Sequence, residues 1–92
     1  MTSARQSVTI VNQRGLHARA SAKFVGAVAA LPDGMNVRVA KDGQEAAGGS
    51  ILGLMMLGAA KGHEIEVIVE GDNCEIVLDD LVALVADGFG ED

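Results

Sequence analysis

Glu64-Ile65-Glu66-Val67-Ile68-Val69-Glu70 constrains the fold of this chain more than any other stretch. Glutamate and aliphatic side chains alternate along it, with Ile68 the single exception. A period of two is the mark of a strand with one buried face and one wet face. Parallel sheets bury both faces, so this pattern predicts an antiparallel sheet covered on one side only. The other segments supply strands and cover. Val8-Thr9-Ile10-Val11 reads as a short β-branched strand. Ala20, Phe24, Val28 and Leu31 recur at helical spacing. Pro32-Asp33-Gly34 is a turn signal, after which Met35, Val37 and Val39 alternate with Asn36 and Arg38. Asp42-Gly43 is a tight-turn dipeptide, and Gln44-Glu45-Ala46-Ala47 returns as an antiparallel partner. Gly48-Gly49 breaks that strand, and Ser50 reads as the N-cap of a short helix ending at Gly58. Asp72 and Glu75 have capping-box spacing. Val77, Leu78, Leu81, Val82 and Val85 then line a last helix that Gly88 stops. The order β-α-β-β-α-β-α predicts an α+β fold, with helices on one face of an open antiparallel sheet.

Composition narrows the function classes. Ninety-two residues allow one domain, residues 1–92, with one modest core. Trp and Tyr are absent and Phe occurs twice, so the core must be aliphatic. A net charge of −6 argues against nucleic acid or an anionic membrane as partner, since both require a basic face. It suits docking onto basic protein surfaces. Cys74 is the only cysteine, which excludes an internal disulfide and a CxxC site. It falls in the first turn of the last helix, where a packing role is expected. Residues 1–6 lack the apolar core of a signal peptide, and no apolar run is long enough to span a membrane. The expected location is the cytoplasm, without membrane insertion.

The chemistry concentrates in Gly15-Leu16-His17-Ala18-Arg19. Asn12-Gln13-Arg14-Gly15 is a loop between strand and helix, so His17 falls near a helix N-terminus. Backbone N–H groups there have no intrahelical partner, and the helix dipole adds positive charge. The combination is a ready site for phosphate. A neutral imidazole is a nucleophile that can take a phosphoryl group covalently. Arg19 offers a permanent charge and a planar fork of donors for phosphate oxygens. His-x-Arg alone is too common to carry this reading; a surface histidine beside a solvated arginine is the plainer one.

A second motif changes that balance. Gly15-Leu16-His17-Ala18-Arg19, followed by Ser50-Ile51-Leu52-Gly53-Leu54-Met55-Met56-Leu57, resembles HPr, the histidine phosphocarrier of the bacterial phosphoenolpyruvate-dependent phosphotransferase system. The similarity runs from about Val8 to the last helix. It implies an HPr-like open-faced β-sandwich, a four-stranded antiparallel sheet with three helices on one face. It implies a stoichiometric carrier with no turnover of its own and no cofactor. His17 would be phosphorylated by enzyme I on Nδ1, and would pass the phosphoryl group to a IIA-type acceptor histidine. Arg19 would stabilise the phosphate, and the amides of Ala18 and Arg19 would face it. Ser50 matches the regulatory serine that an HPr kinase/phosphorylase modifies in some bacteria. Residues 50–57, Lys61-Gly62 and Asp87-Gly88-Phe89 also look like the nitrogen-related branch, so the chain could serve sugar uptake or nitrogen-related regulation.

Two departures stand out. Ala20 occupies the position where the family usually has proline, and Gly48-Gly49 stands where many members carry a basic residue. Ala20 keeps one alternative open: a non-catalytic regulatory interaction module with the same fold. A small-ligand or metal-binding domain has no clustered ligands to support it. Ile51, Leu52, Leu54, Met55, Met56 and Leu57 overfill a short helix. Ile51, Leu52 and Met55 are expected to be exposed as a docking patch for enzyme I and IIA-type proteins. His63 reads as a surface histidine, residues 87–92 as a solvated acidic end, and the chain as a monomer.

Overall fold

The computed structural model describes residues 2–91. Strands β1 (Ser3–Thr9), β2 (Asn36–Lys41), β3 (Gln44–Ala47) and β4 (Glu64–Glu70) alternate with helices α1 (Ala18–Ala29), α2 (Ile51–Met56) and α3 (Cys74–Ala86). A short 3-10 turn, Gly88–Gly90, follows α3. The four strands form one antiparallel sheet in the order β1-β4-β2-β3. β4 is central, as its hydrophobic content requires. Its Ile65, Val67 and Val69 point to one face and are 2% exposed or less. They pack with Val37 and Val39 of β2, Phe24 of α1, and Val77, Leu78, Leu81 and Val85 of α3 in one core. Burying side chains of this size contributes about 1.5–3 kcal/mol each.

The Asp42-Gly43 turn forms as predicted, with both residues at positive φ (51° and 83°). Such a pair matches the twist of a two-residue hairpin. Ile68, the break in the alternation, faces the open side of the sheet yet is 1% exposed. Its register partners are Arg5 on β1 and Arg38 on β2. Arg5 pairs with Glu66 and Arg38 with Glu45 and Glu70. The long stems of these arginines supply apolar cover while their heads stay paired.

Three expectations need correction. The first strand runs over Ser3–Thr9 rather than residues 8–11. Ile10 lies beyond it, fully buried, and its backbone bonds instead to His63 and Gly62. The capping box at Asp72 and Glu75 does not form. Asn73, at φ 60°, is the N-cap of α3 and makes no side-chain cap bond. Asp72 stands one residue too early to cap the helix. The acidic end is not simply solvated: Phe89 is 1% exposed, and Glu91 folds back onto α1. Asp92 lies outside the described residues.

Candidate functional site

The site is built where the loop after β1 enters α1. Asn12 is 1% exposed, and its side-chain amide donates to the Gly15 carbonyl at 2.9 Å. The Gly15 N–H returns a bond to the Asn12 carbonyl. Gly15 has φ +62°, and a Cβ there would collide with the backbone of Ala59 and Ala60. Glycine is required both for the left-handed conformation and for the close approach. The approach is sealed by the Leu16 N–H donating to the Ala59 carbonyl at 2.9 Å. Leu16 is buried, which anchors the residue before His17 in the core.

His17 is the N-cap of α1, with extended backbone (φ −78°, ψ −177°). Its carbonyl accepts the first helical bond, from the Ser21 N–H at 2.9 Å. The N–H groups of Ala18, Arg19 and Ala20 therefore precede the hydrogen-bonded turn, have no partner among the described residues, and can meet an anion. Ser21 is buried, and its hydroxyl donates to the Leu16 carbonyl. Ala20 is fully buried as the third residue of α1.

Basic side chains gather around His17. A shallow pocket is lined by His17, Gln13, Arg14, Arg19, Lys23, Gly90 and Glu91. Three of the chain's seven basic residues thus meet at one depression on an acidic molecule. Glu91 is the one acid among them in the described residues. His17 Nε2 lies 2.9 Å from Glu91 Oε2 and 3.1 Å from Oε1. Asn12 Nδ2 donates to Glu91 Oε1 at 3.0 Å. Partial burial works against the Glu91 charge. Hydrogen bonds from Asn12 and His17 and the charges of His17 and Lys23 outweigh it and hold the carboxyl below the usual glutamate range. Lys23 Nζ donates to the Phe89 carbonyl at 2.7 Å, fixing the turn that carries Glu91.

His17 and Arg19 are therefore brought together at one pocket, with Ala18 between them on the same helical turn. Asn12 and Glu91 were not singled out from the sequence. The contact spans 74 positions of chain, and no local period encodes it. His63 lies outside this cluster; it is exposed, and its Nδ1 accepts from the Ala60 N–H.

The second motif forms the expected cap. Ser50 is the N-cap of α2, and its hydroxyl oxygen accepts from the Gly53 N–H at 2.9 Å. Leu54 and Leu57 face the core. Ile51, Leu52 and Met55 are exposed, at 41%, 69% and 41%, and Met56 at 74% extends the patch beyond the expected three. α2 packs against α1.

The family described as the PTS HPr component phosphorylation site matches residues 4–87. The chain belongs to the HPr family. It is 41% identical over 85 residues to the phosphocarrier protein HPr of Pseudomonas aeruginosa, covering 91% of this chain and 92% of that protein. It is 37% identical over 91 residues to the phosphocarrier protein NPr of Escherichia coli, covering 96% and 97%. A crystal structure of HPr from Thermoanaerobacter tengcongensis superposes with a TM-score of 0.88 at 34% identity, covering 97% of this chain and 98% of that one. Relatives of both the HPr and NPr kinds match, so the chain is a phosphocarrier of the phosphotransferase system, of the sugar or the nitrogen-related branch. The alternative of a non-catalytic module is not favoured by these relatives.

Proposed function

We propose that His17 is the residue that carries the phosphoryl group, taking it from phospho-enzyme I and giving it to a histidine of a IIA-type protein. The observation that supports this most is the position of His17 at the N-cap of α1, in a pocket it shares with Arg14, Arg19 and Lys23. The N–H groups of Ala18 and Arg19 receive the phosphate oxygens, and Arg19 stabilises charge as the group arrives and leaves. Transfer of this kind requires positioning and charge stabilisation and little else from the protein. The chain acts as a stoichiometric carrier with no turnover of its own, as a single cytoplasmic domain. The exposed side chains of Ile51, Leu52, Met55 and Met56 form the surface that partners desolvate. Ser50, at the edge of that surface, is the site where an HPr kinase/phosphorylase would act.

The test is incubation with phosphoenolpyruvate and enzyme I. The expected product carries one acid-labile, base-stable phosphate. His17→Ala should keep its fold and accept none. Full phosphorylation of that variant would move the assignment to His63.

A further inference from the structure

The two ring nitrogens of His17 are used differently. Nε2 is in contact with the Glu91 carboxylate. A carboxylate only accepts, so Nε2 carries the proton in this contact. Nδ1 makes no hydrogen bond among the described residues. In a neutral imidazole the nitrogen without hydrogen holds the reactive lone pair. Glu91 is itself held in place. Buried Asn12 divides its amide hydrogens between the Gly15 carbonyl and Glu91 Oε1. Its own oxygen, Oδ1, is buried without a partner among the described residues. A buried amide kept at that cost serves its donor side. Phe89, buried, and Lys23, bonded to the Phe89 carbonyl, fix the backbone that carries Glu91. Amide, carboxylate and imidazole form a chain in which each group orients the next.

We propose that Glu91 is a positioning residue for phosphoryl transfer: it fixes His17 as the Nε2–H tautomer, presents Nδ1 as the nucleophile, and balances the ring's positive charge while the phosphoryl group sits on Nδ1. This rests on the reading of His17 as the phosphoryl acceptor. In the step, the Nδ1 lone pair forms the N–P bond. The donor's bond to phosphorus breaks, and its electron pair stays with the donor nitrogen. The Nε2 proton stays in its bond to Glu91. Onward transfer reverses the exchange: the acceptor imidazole bonds phosphorus and the N–P pair returns to Nδ1. A carboxylate among basic groups would repel phosphate if it stood beside the attacking nitrogen. It stands at the other nitrogen, where the charge it meets is the ring's own.

The experiment uses the full chain with ring nitrogens labelled with 15N, as wild type, Glu91→Gln, Glu91→Ala and Asn12→Ala. Each is checked for folding by its melting curve. At a pH where the ring is neutral, the 15N shifts of His17 read the tautomer directly. The wild type should be almost wholly Nε2–H, and Glu91→Ala a mixture. Glu91→Gln should restore the tautomer, since its amide oxygen can still accept. Phosphoryl uptake from phospho-enzyme I should fall about 10–100-fold in Glu91→Ala, and less in Glu91→Gln and Asn12→Ala. An unchanged tautomer and rate in Glu91→Ala overturns the inference. So does a faster Glu91→Ala, which would make Glu91 a competitor of phosphate. A wild type that takes no phosphoryl group on His17 overturns the carrier reading instead; the tautomer measurement needs no donor and still decides the part played by Glu91.

Discussion

Arg19 lies two residues beyond the nucleophile, on the first turn of α1 and at the rim of the same pocket. It is exposed and makes no hydrogen bond among the described residues, so its guanidinium is free for a ligand. Arg19→Ala should therefore fold normally and relay slowly. Losing one preorganised donor costs about 2–4 kcal/mol of transition-state stabilisation. Stopped-flow transfer from phospho-enzyme I measures it, and an unchanged rate would assign the work to the open amides alone. Ala20 is the neighbouring test. It precedes the first hydrogen-bonded N–H of α1, which belongs to Ser21, so a proline there removes no helical bond. Ala20→Pro should keep activity and raise stability by about 0.4–1 kcal/mol through the unfolded chain. A lower melting temperature would show that the ring cannot be seated among the buried side chains around Ala20.

At the scale of elements, α2 is the segment whose composition exceeds its packing. Six residues bury Leu54 on one side and leave Ile51, Leu52, Met55 and Met56 in solvent. The Ser50 hydroxyl closes the N-terminus of the helix by accepting from the Gly53 N–H. Aspartate is as good an N-cap as serine, and its charge is favourable beside the helix N-terminus. Ser50→Asp should thus keep or raise the melting temperature. The same charge lies next to Ile51 and Leu52, and a partner covering them would have to bury it. Phosphorylation of Ser50→Asp by enzyme I should slow. Kinetics with purified enzyme I decide the matter: a wild-type rate would leave Ser50 a cap and nothing more, and would place docking elsewhere.

For the whole molecule, what was legible in the sequence followed local periodicity. The period of two in β4 gave the one-sided sheet, and the stripe of Ala20, Phe24, Val28 and Leu31 gave the inner face of α1, with Ala20 and Phe24 fully buried and Val28 and Leu31 partly so. The loop glycine and the residues around it placed His17 near the helix N-terminus, and the structure makes it the N-cap. β1 was misplaced because it is an edge strand whose first residues are mostly polar and exposed, so alternation is faint there. The start of α3 was misjudged because left-handed Asn73, a backbone choice, displaced a side-chain cap. The return of the C-terminal turn was invisible because its two ends are joined only in space. Phe89 adopts φ 59° between Gly88 at 66° and Gly90 at 73°. A left-handed aromatic residue is costly, and its near-complete burial offsets that cost. Phe89→Ala should lose about 3–5 kcal/mol in a denaturant titration. It should also free Glu91 from His17, which the His17 ring resonances would report. Loss of stability with the contact intact would show that Lys23 and Asn12 hold the turn unaided.

The C-terminal contact also ties stability to pH, and the sign follows from Glu91. Its carboxyl is held below the ordinary glutamate range in the folded protein and returns to that range when the chain unfolds. The folded state therefore releases this proton more readily than the unfolded state does. The stabilisation is fully present above the unfolded value, at neutral pH, and is lost as pH falls through the folded value, below the ordinary glutamate range. Glu91→Gln removes the titrating group and keeps an oxygen that can accept from Asn12 or His17. Wild type should then melt higher than Glu91→Gln at pH 7, and the two melting temperatures should converge as pH falls below the ordinary glutamate range. Arg14, Arg19 and Lys23 line the same pocket, so neutralising Glu91 removes a negative charge that offsets their mutual repulsion. Salt should weaken both the gap at pH 7 and the repulsion at low pH, because these groups lie at the surface. A gap that persisted unchanged through pH 3 would mean that the turn is held by Phe89 and Lys23 alone, with the Glu91 charge contributing nothing to the fold.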